Sequence, residues 1–238
     1  ASIARLLVRA LIPGVAPGHT MDDVVTAPFD YAKLDQVQAR IKLRLNSTVT
    51  LVEHEGAVPS ANIVNITYMR SGQAFRVKAR GCILACYNAI IPYLCPELPS
   101  DQREALANQV KQPILITNVA LRNWKPWKKL GIGSVLAPGS YHNGVLLNFP
   151  VSLGDYQYAS GPDEPVTAYM TQFPHVNNQG LTHQQQFRAA RYKLLTTPYE
   201  DIERNVRIQL ASMLGAGGFD PATDILGITV NRWAHGYA

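Results

Sequence analysis

Apolar and polar residues alternate in three stretches near the start of the chain, which predicts strands with one buried and one solvent-facing side. The first stretch runs from Ile41 to Val52, and the same two-residue period recurs from Val64 to Tyr68 and from Phe75 to Arg80. The tetrapeptide Arg70-Ser71-Gly72-Gln73 has the composition of a tight turn between antiparallel strands. The pattern therefore predicts a three-stranded meander.

The segment Cys82–Cys86 follows the meander and is apolar at every position. Gly81 and Asn88 bound it. A short, wholly apolar run of this kind is typical of a strand that is buried on both faces of a layered α/β domain. We therefore expect the meander to lead into a central sheet.

The remaining apolar patterns predict helices and a second sheet. The spacing from Ile3 to Leu11 predicts a first helix that ends at Pro13 and Gly14, and Ser100 is expected to cap a helix through Asn108. Three apolar runs predict the strands of an antiparallel sheet: Pro113–Leu121, Val145–Phe149 and Val166–Met170. Two helices are expected to cover that sheet, Thr182–Leu195 and Pro198–Leu214.

A glycine cluster, Gly215–Gly218, follows the last of these helices. That helix is predicted to begin with Thr197 as N-cap, with Glu200 completing a capping box, and to end at Gly215. A phosphate-binding loop would lie between a strand and a helix, whereas this cluster lies after a helix and before Phe219. We interpret it as a helix stop.

Composition and charge exclude several classes of protein. No stretch approaches the roughly 20 apolar residues that cross a bilayer, so we expect a soluble chain, cytoplasmic or periplasmic. The net charge is only +5, and the densest basic cluster, Trp124–Lys129, is short and contains proline, so a surface loop is expected rather than a nucleic-acid site. The three cysteines form no C-x-x-C pattern and the histidines have no metal-ligand spacing, so we expect free thiols and no metal.

Five further segments, in this order along the chain, resemble the flavin amine oxidase superfamily, and most closely the bacterial spermidine dehydrogenase-like flavoproteins. They are Ser2–Leu7, Leu84–Asn88, Ile91–Pro99, Phe149–Tyr156 and Ile228–Tyr237. Members of this superfamily begin with a strand, a G-x-G-x-x-G turn and a helix that hold the pyrophosphate of FAD. Members of the superfamily also end with a strand and a helix that complete the flavin site. Neither that closing segment nor the G-x-G-x-x-G turn is in this sequence, so the resemblance implies a fragment of a larger parent protein.

The resemblance implies a mixed α/β and α+β fold, in which part of a Rossmann-like FAD-binding domain is interleaved with a substrate domain made of an antiparallel sheet and helices. Residues 1–34 and 93–221 are expected to belong to the substrate domain. Residues 35–92 and 222–238 are expected to belong to the FAD-binding domain. The missing segments of the parent are then expected partners of this chain, and a homo-oligomer is left open.

The resemblance also implies residues that contact FAD or act in catalysis. Lys111 lies where family members keep a lysine that is bonded through water to the flavin, although a surface lysine is the alternative. Val49 lies where the family places a valine whose backbone contacts the adenine, although an ordinary strand valine would look the same. Ala85, Cys86 and Tyr87 are expected to border the cofactor, at the carboxyl end of the predicted central strand.

The aromatic segment Asn231–Tyr237 is the other candidate site. Aromatic walls can hold the apolar body of an amine and contact its cation through their faces, so Trp233, His235 and Tyr237 are predicted to bind substrate. Trp233 and Gly236 are also predicted to contact FAD, and His235 is a candidate acid or base. Alternatively, Trp233 has only a packing role and fills the interface between two domains.

Taken with these residues, the resemblance implies an FAD-dependent amine dehydrogenase or oxidase. A hydride equivalent would pass from the amine to the flavin, and a polyamine such as spermidine is the expected substrate. The alternative is a non-catalytic binding or structural paralogue that keeps the fold but no longer binds flavin. An acidic residue about twenty positions after an intact G-x-G-x-x-G motif in the parent would favour the enzyme.

Overall fold

The computed structural model describes residues 2–178 and 180–237, without the side chain of Tyr237. The chain divides into two compact units. Unit 1 contains Ala1–Ala107 and Leu153–Tyr156, and unit 2 contains Asn108–Ser152 and Gln157–Ala238. The predicted ranges 1–34 and 35–92 thus lie in the same unit, while their assignment to substrate and cofactor domains stays a prediction.

Unit 1 combines short helices with an antiparallel sheet, and its elements are α1 (Ser2–Leu11), α2 (Met21–Thr26), β1 (Thr48–His54), β2 (Val64–Arg70), β3 (Gln73–Ala79), α3 (Ile91–Leu94) and α4 (Ser100–Ala107). The strands lie in the order β1-β2-β3, which confirms the predicted meander. Ser71 and Gly72 both have left-handed φ values, 50° and 76°, as a two-residue type I′ hairpin turn requires. Arg70 and Gln73 pair on either side of that turn.

The first strand of the meander begins later than the alternating pattern predicted. Residues 41–47 form no strand, and β1 starts at Thr48. Asn46 has φ 52°, which is incompatible with strand backbone, and the N–H of Leu43 donates to Leu34 O at 2.7 Å instead of to a neighbouring strand. The alternation in this stretch therefore reflects a loop that lies against the body of unit 1.

The prediction of a buried strand at Cys82–Cys86 is wrong. The segment is extended but belongs to no sheet, and Ile83 is 94% exposed. A strand that is buried on both faces needs a paired neighbour on each side. In the described part of unit 1 the sheet ends at β3, so the segment has no strand to pair with.

Helix α1 turns its charged side chains inward. Arg5 Nε donates to Val24 O at 2.6 Å, and Arg9 Nη1 donates to Asp23 O at 3.0 Å, so both arginines satisfy carbonyl groups of α2. The outward residues are large and apolar: Ile3, Leu6, Leu7 and Leu11. The helix is confirmed, but its apolar stripe faces away from the core of unit 1, which is built around Ile12, Val15 and Leu34.

Unit 2 is an antiparallel sheet covered by helices, and its elements are β4 (Gln112–Leu121), α5 (Lys125–Leu130), β5 (Ser134–Leu136), β6 (Gly144–Asn148), β7 (Val166–Gln172), α6 (His183–Thr196), α7 (Tyr199–Leu214), α8 (Pro221–Asp224) and β8 (Ile225–Tyr237). In the described residues the strand order is β5-β6-β7-β4-β8, and every pair is antiparallel. This confirms the predicted sheet and the helix pair. The strand β8 includes the aromatic segment Asn231–Tyr237.

The core of unit 2 lies between one face of this sheet and the helices. Leu115, Val119 and Leu121 of β4 pack with Leu210 and Leu214 of α7, and all five side chains are inaccessible to solvent. Burying a side chain of this size contributes about 1.5–3 kcal/mol each. The mixed α/β and α+β fold class predicted from the sequence is confirmed.

The basic cluster Trp124–Lys129 is not the surface loop that the sequence predicted. Most of it forms α5, in which Pro126 occupies the first turn and Trp127 is fully buried in the core of unit 2. Proline is tolerated there because the first turn has no intrahelical partner for its missing N–H. The lysines lie on the outer side of a helix that is anchored by tryptophan.

The boundary between α6 and α7 also differs from the prediction. The N–H and the Oγ1 of Thr197 both donate to Lys193 O, at 3.0 and 2.7 Å, so Thr197 ends α6 and does not cap α7. Helix α7 begins after Pro198 without a side-chain cap. At its other end Gly215 has a helical φ of −56°, and the left-handed residue is Gly218, with φ 94°.

Replacing Gly217 by Ala is expected to lower the free energy of unfolding by about 1–3 kcal/mol. A Cβ at this position would lie 2.6 Å from Pro126 O and 2.9 Å from Pro126 Cα, so the backbones of α5 and the glycine cluster would have to separate. Gly215→Ala is the matched control, because a Cβ there meets no atom within 4 Å and the backbone is helical. Urea unfolding of both variants checks the prediction, and equal stabilities would contradict it.

Candidate functional site

One end of the β4–β8 pair brings together predicted site residues that are far apart in the sequence. Lys111 directly precedes β4, Gln112 pairs with Tyr237, and Ile114 pairs with Trp233. Because the strands are antiparallel, the start of β4 lies beside the end of β8. The side chain of Tyr237 lies outside the described residues, so its predicted contact with substrate stays a prediction.

The β4–β8 ladder is irregular at this end. Between the pairs Gln112–Tyr237 and Ile114–Trp233, β4 contains only Pro113, while β8 contains residues 234–236. Proline has no N–H to donate to a ladder, and such a bulge redirects the side chains of the longer strand. The aromatic segment Asn231–Tyr237 therefore lies in a bulged part of β8.

His235 is electrostatically linked to two basic residues at this end of the sheet. Partial loss of water around its ring lowers the pKa of His235, and the charges of Arg191 and then Lys111 lower it further, although the residue is exposed. Arg191 is held in place because its Nε donates to Ala234 O at 3.0 Å. The structure therefore brings the two predicted catalytic residues together and favours a neutral imidazole at His235.

Trp233 and Gly236 lie around Ile114 of β4. Trp233 is 55% exposed on the sheet face opposite the helices, as its pairing with Ile114 requires. A Cβ at Gly236 would lie only 2.6 Å from Ile114 Cγ1, so any other residue would displace that side chain. Close packing thus explains the glycine, and its predicted contact with FAD stays a prediction.

Val49 lies beside an irregularity in the meander of unit 1. It pairs with Tyr68 of β2, and the register of the β1–β2 ladder shifts between Val49 and Leu51. Bulges of this kind often lie next to ligand sites, because they release backbone groups from the ladder. The position suits the backbone contact with adenine that was predicted for this residue, which stays a prediction.

The predicted cofactor residues Ala85, Cys86 and Tyr87 do not lie at the end of a strand. Ala85 and Cys86 end the unpaired segment Cys82–Cys86 described above, and Tyr87 precedes a 3₁₀ turn, Asn88–Ile90. Ala85 and Cys86 are exposed, while Tyr87 is half-buried. The expected position of these residues at the carboxyl edge of a central strand is therefore wrong, and their contact with FAD stays a prediction.

The residues present fit only part of an FAD molecule. Val49, beside the irregular part of the β1–β2 ladder, is a position that suits a backbone contact with the adenine. Among the described residues, the glycine cluster lies between α7 and α8, not between a strand and a helix. It therefore lacks the setting in which a helix N-terminus holds a pyrophosphate.

The described residues also bear on metal ligation and on membrane insertion. There, no group of three or more His, Cys, Asp or Glu side chains is arranged to hold a metal ion. No helix in the same residues is long and apolar enough to cross a membrane.

A buried polar cluster in unit 2 was not predicted from the sequence. His142 and Thr117 are both inaccessible to solvent, and His142 Nε2 lies 3.0 Å from Thr117 Oγ1. Gln209 of α7 is also buried and bonds to the backbone of His142. The available signal was a polar residue at a core-facing position: Thr117 within the apolar run of β4, and Gln209 beside Leu210.

No protein-family model matches the sequence, and no curated protein matches it. Solved structures do match. A single mutant of putrescine oxidase from a study of redesigned cofactor binding has 15% identity and a TM-score of 0.53, covering 78% of this chain and 34% of that one. A triple mutant from the same study has 16% identity and a TM-score of 0.52, covering 81% and 36%.

The wild-type putrescine oxidase bound to putrescine gives 14% identity, a TM-score of 0.50, and coverage of 78% and 34%. The chain thus spans about a third of the length of these enzymes. At such low identity the likeness concerns the fold and not the chemistry. Over about four-fifths of its length, the chain has the fold found in putrescine oxidase.

Proposed function

We propose that this chain is part of an FAD-dependent amine oxidoreductase, and that its substrate is a polyamine such as spermidine. The observation that carries the proposal is the fold that the chain shares with putrescine oxidase over 78–81% of its length. Fold alone does not determine activity, so the two clusters of candidate residues provide the second support. The missing length relative to those enzymes would be supplied by further segments of the same parent protein.

The β4–β8 end would bind the substrate. The exposed ring of Trp233 offers apolar surface and an electron-rich face to an alkylammonium chain. The neutral imidazole of His235 could accept a proton from an ammonium group, because amines react with flavins only when they are unprotonated. Lys111, whose charge reaches His235, would orient water beside the reacting amine.

Two acidic residues just before β7, Asp163 and Glu164, are candidate partners for the substrate ammonium groups. Asp163 forms an ion pair with Lys125. Glu164 accepts hydrogen bonds from the N–H and Oγ of Ser160, at 2.8 and 2.9 Å, and these bonds lower the pKa of Glu164. Both acids are therefore already engaged, which favours aromatic over carboxylate recognition of the amine in this part of the protein.

The residues of unit 1 would hold the cofactor. Val49 would contact the adenine through its backbone, and Ala85, Cys86 and Tyr87 would border FAD. When bound, the flavin supplies the redox chemistry by accepting a hydride equivalent from the amine. The contribution of this chain is to bind and orient both partners.

The natural full-length protein is expected to be yellow, with the absorption spectrum of a bound flavin. It should also reduce that flavin when spermidine or putrescine is added without oxygen. A panel of amines, assayed with oxygen and with a dye as electron acceptor, then identifies the substrate and distinguishes an oxidase from a dehydrogenase. A folded but colourless protein that takes up no added FAD would instead support the non-catalytic paralogue.

A further inference from the structure

Unit 2 contains a cavity of about 460 Å³ on the side of its helices, away from the Trp233 face of the sheet. Its walls come from the loop before β6, from the residues after β7, and from the corner between α6 and α7. The volume lies within the range of small-molecule pockets, roughly 300–1,000 Å³. The polar residues that matter here are Tyr141, Asn143, His175, Lys193, Asp201 and Arg204.

The wall formed by the loop before β6 is held rigidly from behind. The N–H of His142 donates to Gln209 Oε1 at 2.9 Å, and Gln209 Nε2 donates to His142 O at 2.8 Å. Both residues are buried, and His142 is also in contact with Thr117 of the central strand β4. Buried, satisfied hydrogen bonds of this kind fix the conformation of a loop, so the cavity wall is preorganised.

Two neighbouring side chains in this loop present hydrogen-bond donors to the cavity. The N–H of Phe173 donates to Asn143 Oδ1 at 3.1 Å, which leaves the Nδ2 group of Asn143 to donate to a ligand. Burial raises the pKa of Tyr141, so its hydroxyl group stays protonated and can also donate. A cavity wall that offers donors is suited to a ligand that carries acceptors.

The charges of the opposite cavity wall also favour a ligand that carries hydrogen-bond acceptors and negative charge. Lys193 near the end of α6 has neither an ion pair nor a side-chain hydrogen bond within the described residues. Arg204 of α7 pairs with Asp201, but a guanidinium has five N–H donors and this carboxylate engages only part of them. The wall carries two cationic groups and one carboxylate, Asp201, which is already paired with Arg204, so its net charge is positive and favours an anionic ligand.

We propose that this cavity binds a small dianion, one end of which contacts Lys193 and the other Arg204. Tyr141 and Asn143 would donate hydrogen bonds to the oxygen atoms of the same ligand. The shared chemistry is that of a phosphate group or a short dicarboxylate, because both carry two negative charges and several acceptors within the size of the cavity. The site is separate from the residues proposed to bind the amine, and it does not depend on that function.

The test measures the binding of inorganic phosphate and of malonate to the full chain by isothermal titration calorimetry at constant ionic strength. Lys193→Gln and Arg204→Gln are each expected to weaken binding about tenfold, since each removes a charge-assisted hydrogen bond. Lys129→Gln is the control, because it removes the same charge from an exposed position of α5 in the same unit. Thermal unfolding of each variant verifies that the fold is kept.

Tighter binding of phosphate identifies a phosphorylated ligand, and tighter binding of malonate identifies a dicarboxylate; both results support the proposal. Absence of binding for both anions at concentrations up to about 10 mM would overturn it. An unchanged affinity in Lys193→Gln, or an equal loss in the Lys129→Gln control, would also overturn it, because the anion would then bind only to the general positive charge of the surface.

Discussion

Acidification from pH 7 to 5 is expected to lower the free energy of unfolding by about 2 kcal/mol through His142 alone. This histidine is inaccessible to solvent, and burial lowers its pKa from 6.5 to about 4. Its Nδ1 has no hydrogen-bond partner in the described structure, so a proton added to the ring would be buried without an acceptor. The folded protein therefore keeps the ring neutral.

The direction of this change in the free energy of unfolding follows from the number of protons that the folded and unfolded states bind. Below pH 6.5 the unfolded chain protonates His142 and the folded chain does not, which stabilises the unfolded state by about 1.4 kcal/mol for each pH unit. The contribution of the neutral His142 ring to the free energy of unfolding is fully present above pH 6.5. It is lost as the pH falls towards about 4, where the folded state also becomes protonated. Further acidification adds no further loss from this group.

A comparison of variants distinguishes the effect of His142 on the pH dependence of stability from the effect of carboxyl groups, which titrate at lower pH. His142→Gln can retain a hydrogen bond to Thr117 but cannot gain a charge, so its stability should fall less than that of the natural chain between pH 7 and 5. Urea unfolding followed by tryptophan fluorescence measures the difference. His183→Gln, which removes an exposed imidazole of the same unit, serves as control, and parallel curves for the natural chain and His142→Gln would contradict the prediction.

The sheet of unit 2 was predictable because its strands bury most of their side chains. The run Pro113–Leu121 has a core-facing residue at every second position, and the same holds for Val166–Met170, so the apolar content of the sequence directly reflects the fold. The strand β5 contains only three residues, two of them exposed or polar, and gives no such signal. Short edge strands depend on pairing with a neighbour, which a local pattern does not contain.

The failures in unit 1 have a different physical origin. Cys82–Cys86 is apolar enough for a buried strand, but a strand exists only when another strand pairs with it, and none does within the described residues. In α1 the apolar pattern was interpreted correctly as a helix, yet Arg5 and Arg9 face the body of unit 1 because they satisfy carbonyl groups of α2. Periodicity reports which face of a helix is apolar and does not report which face is covered.

The candidate site was predictable only in part, for a related reason. Lys111 and His235 were proposed separately. Their proximity depends on the pairing of β4 with β8, two strands that lie at opposite ends of the sequence of unit 2. The polar cluster at His142 was missed because a single buried histidine resembles a surface one in the sequence. Its role becomes visible only when Gln209 and Thr117 are placed beside it by α7 and β4.

Replacing Trp233 by Ala in the full-length protein is expected to lower amine turnover by at least about tenfold and to affect flavin content far less. The indole ring is 55% exposed on the open face of the sheet, and its partner across the ladder, Ile114, is buried, so the ring projects from an ordered platform. Truncation would remove the surface that is proposed to hold the apolar body of the amine and to contact its cation. Trp233→Phe should recover part of the turnover, because it restores an aromatic face.

The matched control is Leu226→Ala, which removes a large, exposed apolar side chain from the same strand, 51% accessible to solvent. A substrate role predicts that only the Trp233 substitution affects turnover of the amine, with the flavin spectrum of both variants unchanged. A role limited to filling a domain interface predicts the reverse for Trp233→Ala: normal turnover together with a lower thermal unfolding temperature. Steady-state kinetics, flavin absorbance and thermal unfolding of the same preparations distinguish the two, since loss of interface packing acts on stability, whereas loss of an aromatic contact with the substrate acts on turnover.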